Sequence, residues 1–171
     1  MILKSQYKII LTDLDDTLIQ TISGATFPKG VWDMKFKFDV FDKIKKLNPE
    51  YLFIITNQGG IGRYVNVERF ENKVAYVAAA IKEYTNIEKV DWTYCSSGNK
   101  KDKYRKPNTG MFDTITLSNG LIINKDFTLD DCLMIGDASG KPGDFSDSDK
   151  MFAENLKIDY IDVEDLLNYE L

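Results

Sequence analysis

The sequence predicts an α/β protein of three layers, α/β/α, with a central, mainly parallel sheet covered by helices on both faces. Three observations predict it. Short runs of apolar, β-branched residues alternate with longer segments whose apolar residues recur every three or four positions. The runs are apolar throughout, which suits strands buried on both sides. Strands separated by helices are parallel, because a helical crossover returns the chain to the same end of the sheet.

Element by element, Tyr7–Leu11 (YKIIL) reads as a buried strand that stops at Thr12 and Asp13. Over residues 37–47, Phe38, Phe41, Ile44 and Leu47 recur at intervals of three, a helix face closed by Asn48 and Pro49. Tyr51–Ile55 is a second buried strand, ending at Thr56 and Asn57. A long helix covers 67–84, with Phe70, Val74, Val77, Ala78 and Ile81 on one face. Residues 90–95 form a third strand and 109–117 a short helix. Cys132–Ile135 is a fourth strand, ending at Gly136 and Asp137. A helix over 151–156, an edge strand over 158–161 and a terminal helix over 163–169 complete the chain. No repeat, low-complexity tract or linker interrupts it, so residues 1–171 are expected to form one domain.

Composition narrows the function. The chain has 171 residues, 43% of them hydrophobic, enough for a substantial core and too many for disorder. No apolar run approaches the length of a membrane span, and no signal peptide is evident at the N-terminus, so an intracellular location is expected, cytoplasmic or nuclear. There is no His. That excludes Ser-His-Asp, Cys-His and phosphohistidine mechanisms and His-bearing zinc sites. Cys95 and Cys132 are too few for a four-thiolate zinc site and read as buried and reduced.

Three strands end in similar polar pairs: Thr12-Asp13, Thr56-Asn57 and Gly136-Asp137. Each alone would pass as a turn. Together they matter, because an open parallel sheet binds ligands at the carboxyl ends of its strands. In Asp13-Leu14-Asp15-Asp16-Thr17, residues two apart on extended backbone point the same way, so Asp13 and Asp15 can face one spot. Paired carboxylates repel unless a proton or cation intervenes, and Mg²⁺ with oxygen ligands suits them.

The motifs DLDDTL (13–18), TNQ (56–58), RKP (105–107) and GDASG (136–140) resemble those of haloacid dehalogenase superfamily phosphohydrolases, over nearly the whole chain. The resemblance implies that Asp13 attacks phosphorus and becomes a phosphoaspartate. Asp15 would protonate the leaving oxygen and then activate water, which needs a carboxyl pKa raised by burial and neighbouring acids. Thr56 and Asn57 would hold phosphoryl oxygens, and Lys106 would set a positive charge beside them. Asp13, Asp15 and Asp137 would bind Mg²⁺. Asp144 could support the metal or its loop, whereas Asp147 and Asp149 are read as caps of the following helix.

The 43 positions from Asp13 to Thr56 and the 50 from Thr56 to Lys106 are filled by the flap, helices and strand already assigned. No cap domain is expected, which leaves the site open to a large substrate. The stretches Phe27-Pro28-Lys29-Gly30, Thr56 to Arg63, Tyr104 to Met111 and Asp144 to Asp149 are similar to the phosphatase domain of polynucleotide kinase 3′-phosphatases. That family commonly has Gly where this chain has Asp16. The implied activity is Mg²⁺-dependent removal of 3′-phosphate from DNA ends, in DNA repair. No GxxxxGK[ST] loop occurs, so no kinase domain is expected in this chain. The alternatives are a small-molecule (sugar or nucleotide) phosphatase, a phosphoserine phosphatase and an inactive module that binds phosphorylated ends.

Candidate substrate contacts are Arg63, Lys29, Lys103 and Arg105, with Lys100 and Lys101 either contacts or solvated charges. Tyr64, Trp32 and Trp92 could stack on bases, although core packing is the expectation for both tryptophans. The net charge of −5 does not exclude a nucleic-acid substrate. Residues 154–171 hold six acids against Lys157 alone, which accounts for all of it, and residues 100–106 are locally basic.

Overall fold

In the computed structural model, which describes residues 2–171, five parallel strands form the central sheet. They are β1 (Ile9–Thr12), β4 (Tyr51–Asn57), β5 (Lys89–Cys95), β6 (Cys132–Gly136) and β7 (Asp159–Asp162), in the order β5-β4-β1-β6-β7. Between β1 and β4 lie a small antiparallel hairpin, β2 (Ile19–Thr21) and β3 (Met34–Phe36), and helix α1 (Phe38–Leu47). Helices α2 (Val67–Thr85), α3 (Gly110–Ser118), α4 (Ser148–Leu156) and α5 (Val163–Asn168) complete the fold.

Alternation along the strands divides the core in two. Ile10, Leu52, Ile54, Leu133 and Ile135 face a cluster with Phe41 and Ile44 of α1, Val74 and Val77 of α2 and Leu166 of α5. Their neighbours Ile9, Leu11, Phe53, Ile55 and Met134 face Phe112 and Ile115 of α3 and Phe152 of α4. Both sides of β1, β4 and β6 are therefore buried, which is why these strands are apolar without interruption.

Strands β4 and β5 lie to one side of β1, and β6 and β7 to the other. The chain thus reverses direction across the sheet beside β1, the place where open α/β sheets bind ligands. Thr12 pairs with both Ile54 and Ile135, so the three strands end side by side.

The elements agree with the sequence reading, apart from their polar margins. Strand β4 continues through Thr56 and Asn57, which pair with Tyr94 and Cys95. Helix α4 starts at Ser148, three residues early. The β2–β3 hairpin lies outside that reading, because three-residue segments carry no periodicity. Cys95 and Cys132 are free and buried. Trp92 packs on Tyr94 against the core, but Trp32, expected in the core, is 72% exposed. No helix among the described residues is long and apolar enough to cross a membrane.

Candidate active site

The floor of the site is built on the ends of β1, β4 and β6. Asp13 follows β1, and its backbone N–H donates to the carbonyl of Ile135 at 3.1 Å. Lys106, only 3% exposed, brings its Nζ to Asp13 Oδ1 at 2.9 Å, Asp149 Oδ1 at 2.7 Å and the Ile55 carbonyl at 2.9 Å. Burial alone would lower the lysine's pKa, but the Asp13 and Asp149 carboxylates outweigh it and hold the ammonium charged. The Asn57 side chain fixes the Lys106 backbone from both directions. Its Nδ2 donates to the Lys106 carbonyl at 3.0 Å, and its Oδ1 accepts the Lys106 N–H at 2.8 Å.

Asp149 sits in the first turn of α4. Its Oδ2 accepts the Ala138 backbone N–H at 3.1 Å. Gly136 makes this approach possible, since a Cβ there would fall 2.3 Å from Asp149 Oδ2. Asp13, Asp137 and Asp149 each place a carboxylate oxygen within 4.8 Å of the others. Burial, then the Asp13 and Asp149 charges, push the Asp137 carboxyl up to about 8. Burial raises Asp149, against the opposing pull of Lys106, to about 6. Three carboxylates against one ammonium leave the cluster short of positive charge. An all-oxygen donor set fits a hard divalent cation. Both oxygens of Asp149 already accept hydrogen bonds, so Asp13 and Asp137 are the carboxylates placed to ligate it.

Asp15 is turned elsewhere. Its Oδ2 accepts from Gln58 Nε2 at 2.8 Å, and its Oδ1 lies 3.9 Å from the Nζ of buried Lys73. Oδ1 is buried and has no hydrogen-bond partner among the described residues. Burial raises this carboxyl above the usual range, Lys73 pulling against it and Asp13 adding to it. Gln58 also donates to Thr56 Oγ1 at 2.9 Å, which leaves the threonine hydroxyl hydrogen free to donate.

Above this floor opens a cavity of about 760 Å³. Asp13, Asp15, Thr56, Asn57, Lys106 and Asp137 line it below, and Thr26, Phe27, Gly60, Lys100, Arg105 and Phe145 line its walls. Phe27 on the hairpin loop is 55% exposed, and Phe145 on the loop after β6 is 82% exposed.

The model of the polynucleotide kinase 3 phosphatase family matches residues 8–166. This chain belongs to that family. A bifunctional polynucleotide phosphatase/kinase of Schizosaccharomyces pombe is 35% identical over 162 residues, covering 92% of this chain. The chain spans 37% of that relative's length. An uncharacterized 20.8 kDa protein of Autographa californica nuclear polyhedrosis virus is 31% identical over 175 residues, 96% of this chain and 87% of its own. A polynucleotide 3′-phosphatase of Saccharomyces mikatae is 29% identical over 198 residues, 86% of this chain and 80% of its own. In fold, the chain is similar to D,D-heptose 1,7-bisphosphate phosphatase from B. bronchiseptica, a structure complexed with magnesium and phosphate. The TM-score is 0.65 at 17% identity, over 90% of this chain and 78% of that one.

For this member of the polynucleotide kinase 3 phosphatase family, the structure brings Asp13, Asp15, Thr56, Asn57, Lys106 and Asp137 to one cavity. It also corrects two expectations. Asp149 is no helix cap but a buried partner of Lys106, and Asp147 makes no side-chain cap either. Asp149, not Asp15, completes the acidic cluster, because the Asp15 carboxylate is drawn to Gln58 and Lys73. Of the four basic contacts, only Arg105 lines the cavity. Lys29 and Arg63 line depressions beside it, and Lys103 lies over the Tyr104 ring at 4.8 Å. Asp144 supports the loop, its Oδ2 accepting the backbone N–H groups of Ser139 and Lys141. Asp16 stands at φ 60, the left-handed region where glycine is least strained.

Sequence reasoning missed Lys73, Gln58, Phe27 and Phe145. For Lys73 a signal was present: a lysine three residues after Phe70 falls on the apolar face of α2.

Proposed function

We propose that this chain removes 3′-phosphate from polynucleotide ends as a Mg²⁺-dependent phosphomonoesterase, with Asp13 as the nucleophile. The observation that carries this reading is the Lys106 ammonium held between Asp13 and Asp149 at the floor of an open cavity. The ammonium orients the Asp13 carboxylate and remains to offset the incoming phosphate. Family membership and the 3′-phosphatase relatives point to the polynucleotide end as substrate.

In this scheme an Asp13 oxygen bonds to phosphorus as the bond from phosphorus to the 3′-oxygen breaks. Asp15, whose buried carboxyl holds a proton more readily than an exposed one, gives its proton to that leaving oxygen. The Asp15 carboxylate then takes a proton from water as the water oxygen attacks the phosphoaspartate phosphorus, releasing phosphate and restoring Asp13. Thr56 donates its hydroxyl to a phosphoryl oxygen, while Gln58 holds both Thr56 and Asp15 in place. Asp13 and Asp137 would hold Mg²⁺, which when bound supplies Lewis-acid charge neutralisation at the phosphoryl group. Lys100 and Arg105 on the wall would meet backbone phosphates, and Phe27 and Phe145 offer faces for the terminal base.

The test is turnover of a 3′-phosphorylated oligonucleotide with Mg²⁺, beside a 5′-phosphorylated strand, a phosphoserine peptide and a hexose phosphate. The 3′-phosphorylated strand should be preferred by kcat/KM. No turnover of it, or preference for the hexose phosphate, contradicts the reading.

A further inference from the structure

Beside the catalytic cavity lie two adjoining depressions that the chemistry does not use. The first, between the hairpin loop and the start of α2, is lined by Lys29, Gly30, Tyr64, Arg69, Phe70 and Lys73, with Pro28 and Val65. The second is lined by residues 62–67 and shares Tyr64 and Val65 with the first. Among the described residues their lining holds four cations, Lys29, Arg63, Arg69 and Lys73, and no carboxylate. That is unexpected in a chain with 27 acids against 22 bases. Tyr64, which lines both, is 87% exposed. Trp32, 72% exposed, lies against Gly30, where a Cβ would fall 2.7 Å from its Nε1.

This groove adjoins the catalytic cavity on both banks. Phe27 lines the cavity, and the next residues, Pro28 to Gly30, line the groove. Gly60 lines the cavity, and the Tyr64 ring packs over it, with Cδ2 3.7 Å from where a Gly60 Cβ would be.

We infer that this hairpin–α2 groove is the track for the polynucleotide strand leading away from the reacting end. The inference rests on the proposed function and extends it from the terminal nucleotide to those behind it. The chemistry matches a single strand: exposed aromatic faces stack on bases of any identity, and cations flank the backbone. Lys29 and Arg69 supply the flanking charge, and Tyr64 and Trp32 the stacking faces. Lys73 is buried at the floor and committed to Asp15.

The groove makes affinity depend on strand length. Wild-type protein and the variants Arg69→Ala and Tyr64→Ala are assayed on 3′-phosphorylated strands of two and eight nucleotides. A base-stacking contact of the usual strength predicts that Tyr64→Ala raises KM for the longer strand about fivefold or more. Arg69→Ala should raise it too and flatten its salt dependence. Neither variant should change kcat, or KM for the dinucleotide. Equal KM values for wild type and both variants on the longer strand, or equal losses on both lengths, would overturn the groove. If wild type turns over neither strand, the proposed function fails instead. Fluorescence anisotropy with an unphosphorylated octanucleotide then decides the groove alone: weaker binding by both variants supports it, and unchanged binding refutes it.

Discussion

The floor and the walls of the catalytic cavity are built on opposite principles. On the floor, Lys106 donates to three acceptors, its backbone is fixed by Asn57, and Asp149 is held by both oxygens. On the walls, Phe27, Phe145 and Lys100 are exposed, and Arg105 is tied through Nη1 to the Ser97 carbonyl. Groups that must meet a developing charge are fixed before the substrate arrives, so little reorganisation accompanies reaction. Groups that meet a flexible strand, Arg105 aside, are left free to adapt. The comparison implies that floor variants lose kcat and stability, whereas wall variants lose affinity.

The largest expected effect is that of Asp13→Asn, which removes the nucleophile and should reduce phosphate release to background without unfolding the protein. Circular dichroism beside the activity assay checks both halves. Next comes Lys106→Met, which leaves Asp149 buried without its charged partner. Breaking a buried pair in this way costs about 3–5 kcal/mol, and losing the stabilising charge should lower kcat about 100-fold or more. Urea unfolding and steady-state kinetics measure the two losses.

The acidic cluster carries a pH signature in metal-free protein. The folded-state pKa values of Asp137 and Asp149 stand above their unfolded values, at about 8 and about 6. Between an unfolded value of about 3.9 and those values, the folded protein holds protons that the unfolded chain has released. Stability from these groups is therefore complete at low pH and is lost as pH rises through about 6 and then about 8. Thermal melts in EDTA should show that decline, and Mg²⁺ should reverse most of it at pH 8. Melting temperatures that ignore Mg²⁺ at pH 8 would count against the cluster as a cation site.

Smaller effects belong to the walls and the turn. Lys100→Ala should raise KM for a 3′-phosphorylated strand a few-fold and leave kcat unchanged. The smallest is Asp16→Gly, which relieves a left-handed residue beside the site. It should change stability by no more than about 1 kcal/mol and leave turnover close to wild type.

The difference between floor and walls also marks what could be read from sequence. Strands β1, β4 and β6 are legible because burial on both faces makes them apolar at nearly every position. Their polar ends follow from strand position, so Asp13, Thr56 and Asp137 can be placed in one cavity without coordinates. Asp149 could not. A carboxylate near a helix start has a sufficient local role as a cap, and its actual partner, Lys106, lies 43 residues away. Asp15 misled for a related reason. Alternation along the backbone says where Cβ points, but Gln58 and Lys73 decide where the carboxylate goes. Trp32 shows the converse: its size suggests the core, yet a 3₁₀ turn at the surface holds it exposed.

The most direct test of the central claim follows phosphorus itself. A strand carrying a ³²P-labelled 3′-phosphate is mixed with enzyme and Mg²⁺, quenched rapidly in acid, and the protein is examined for bound label. Wild-type protein should carry label that disappears on a chase with unlabelled substrate, and Asp13→Asn should carry none and release no phosphate. Phosphate release that persists in Asp13→Asn would contradict the account.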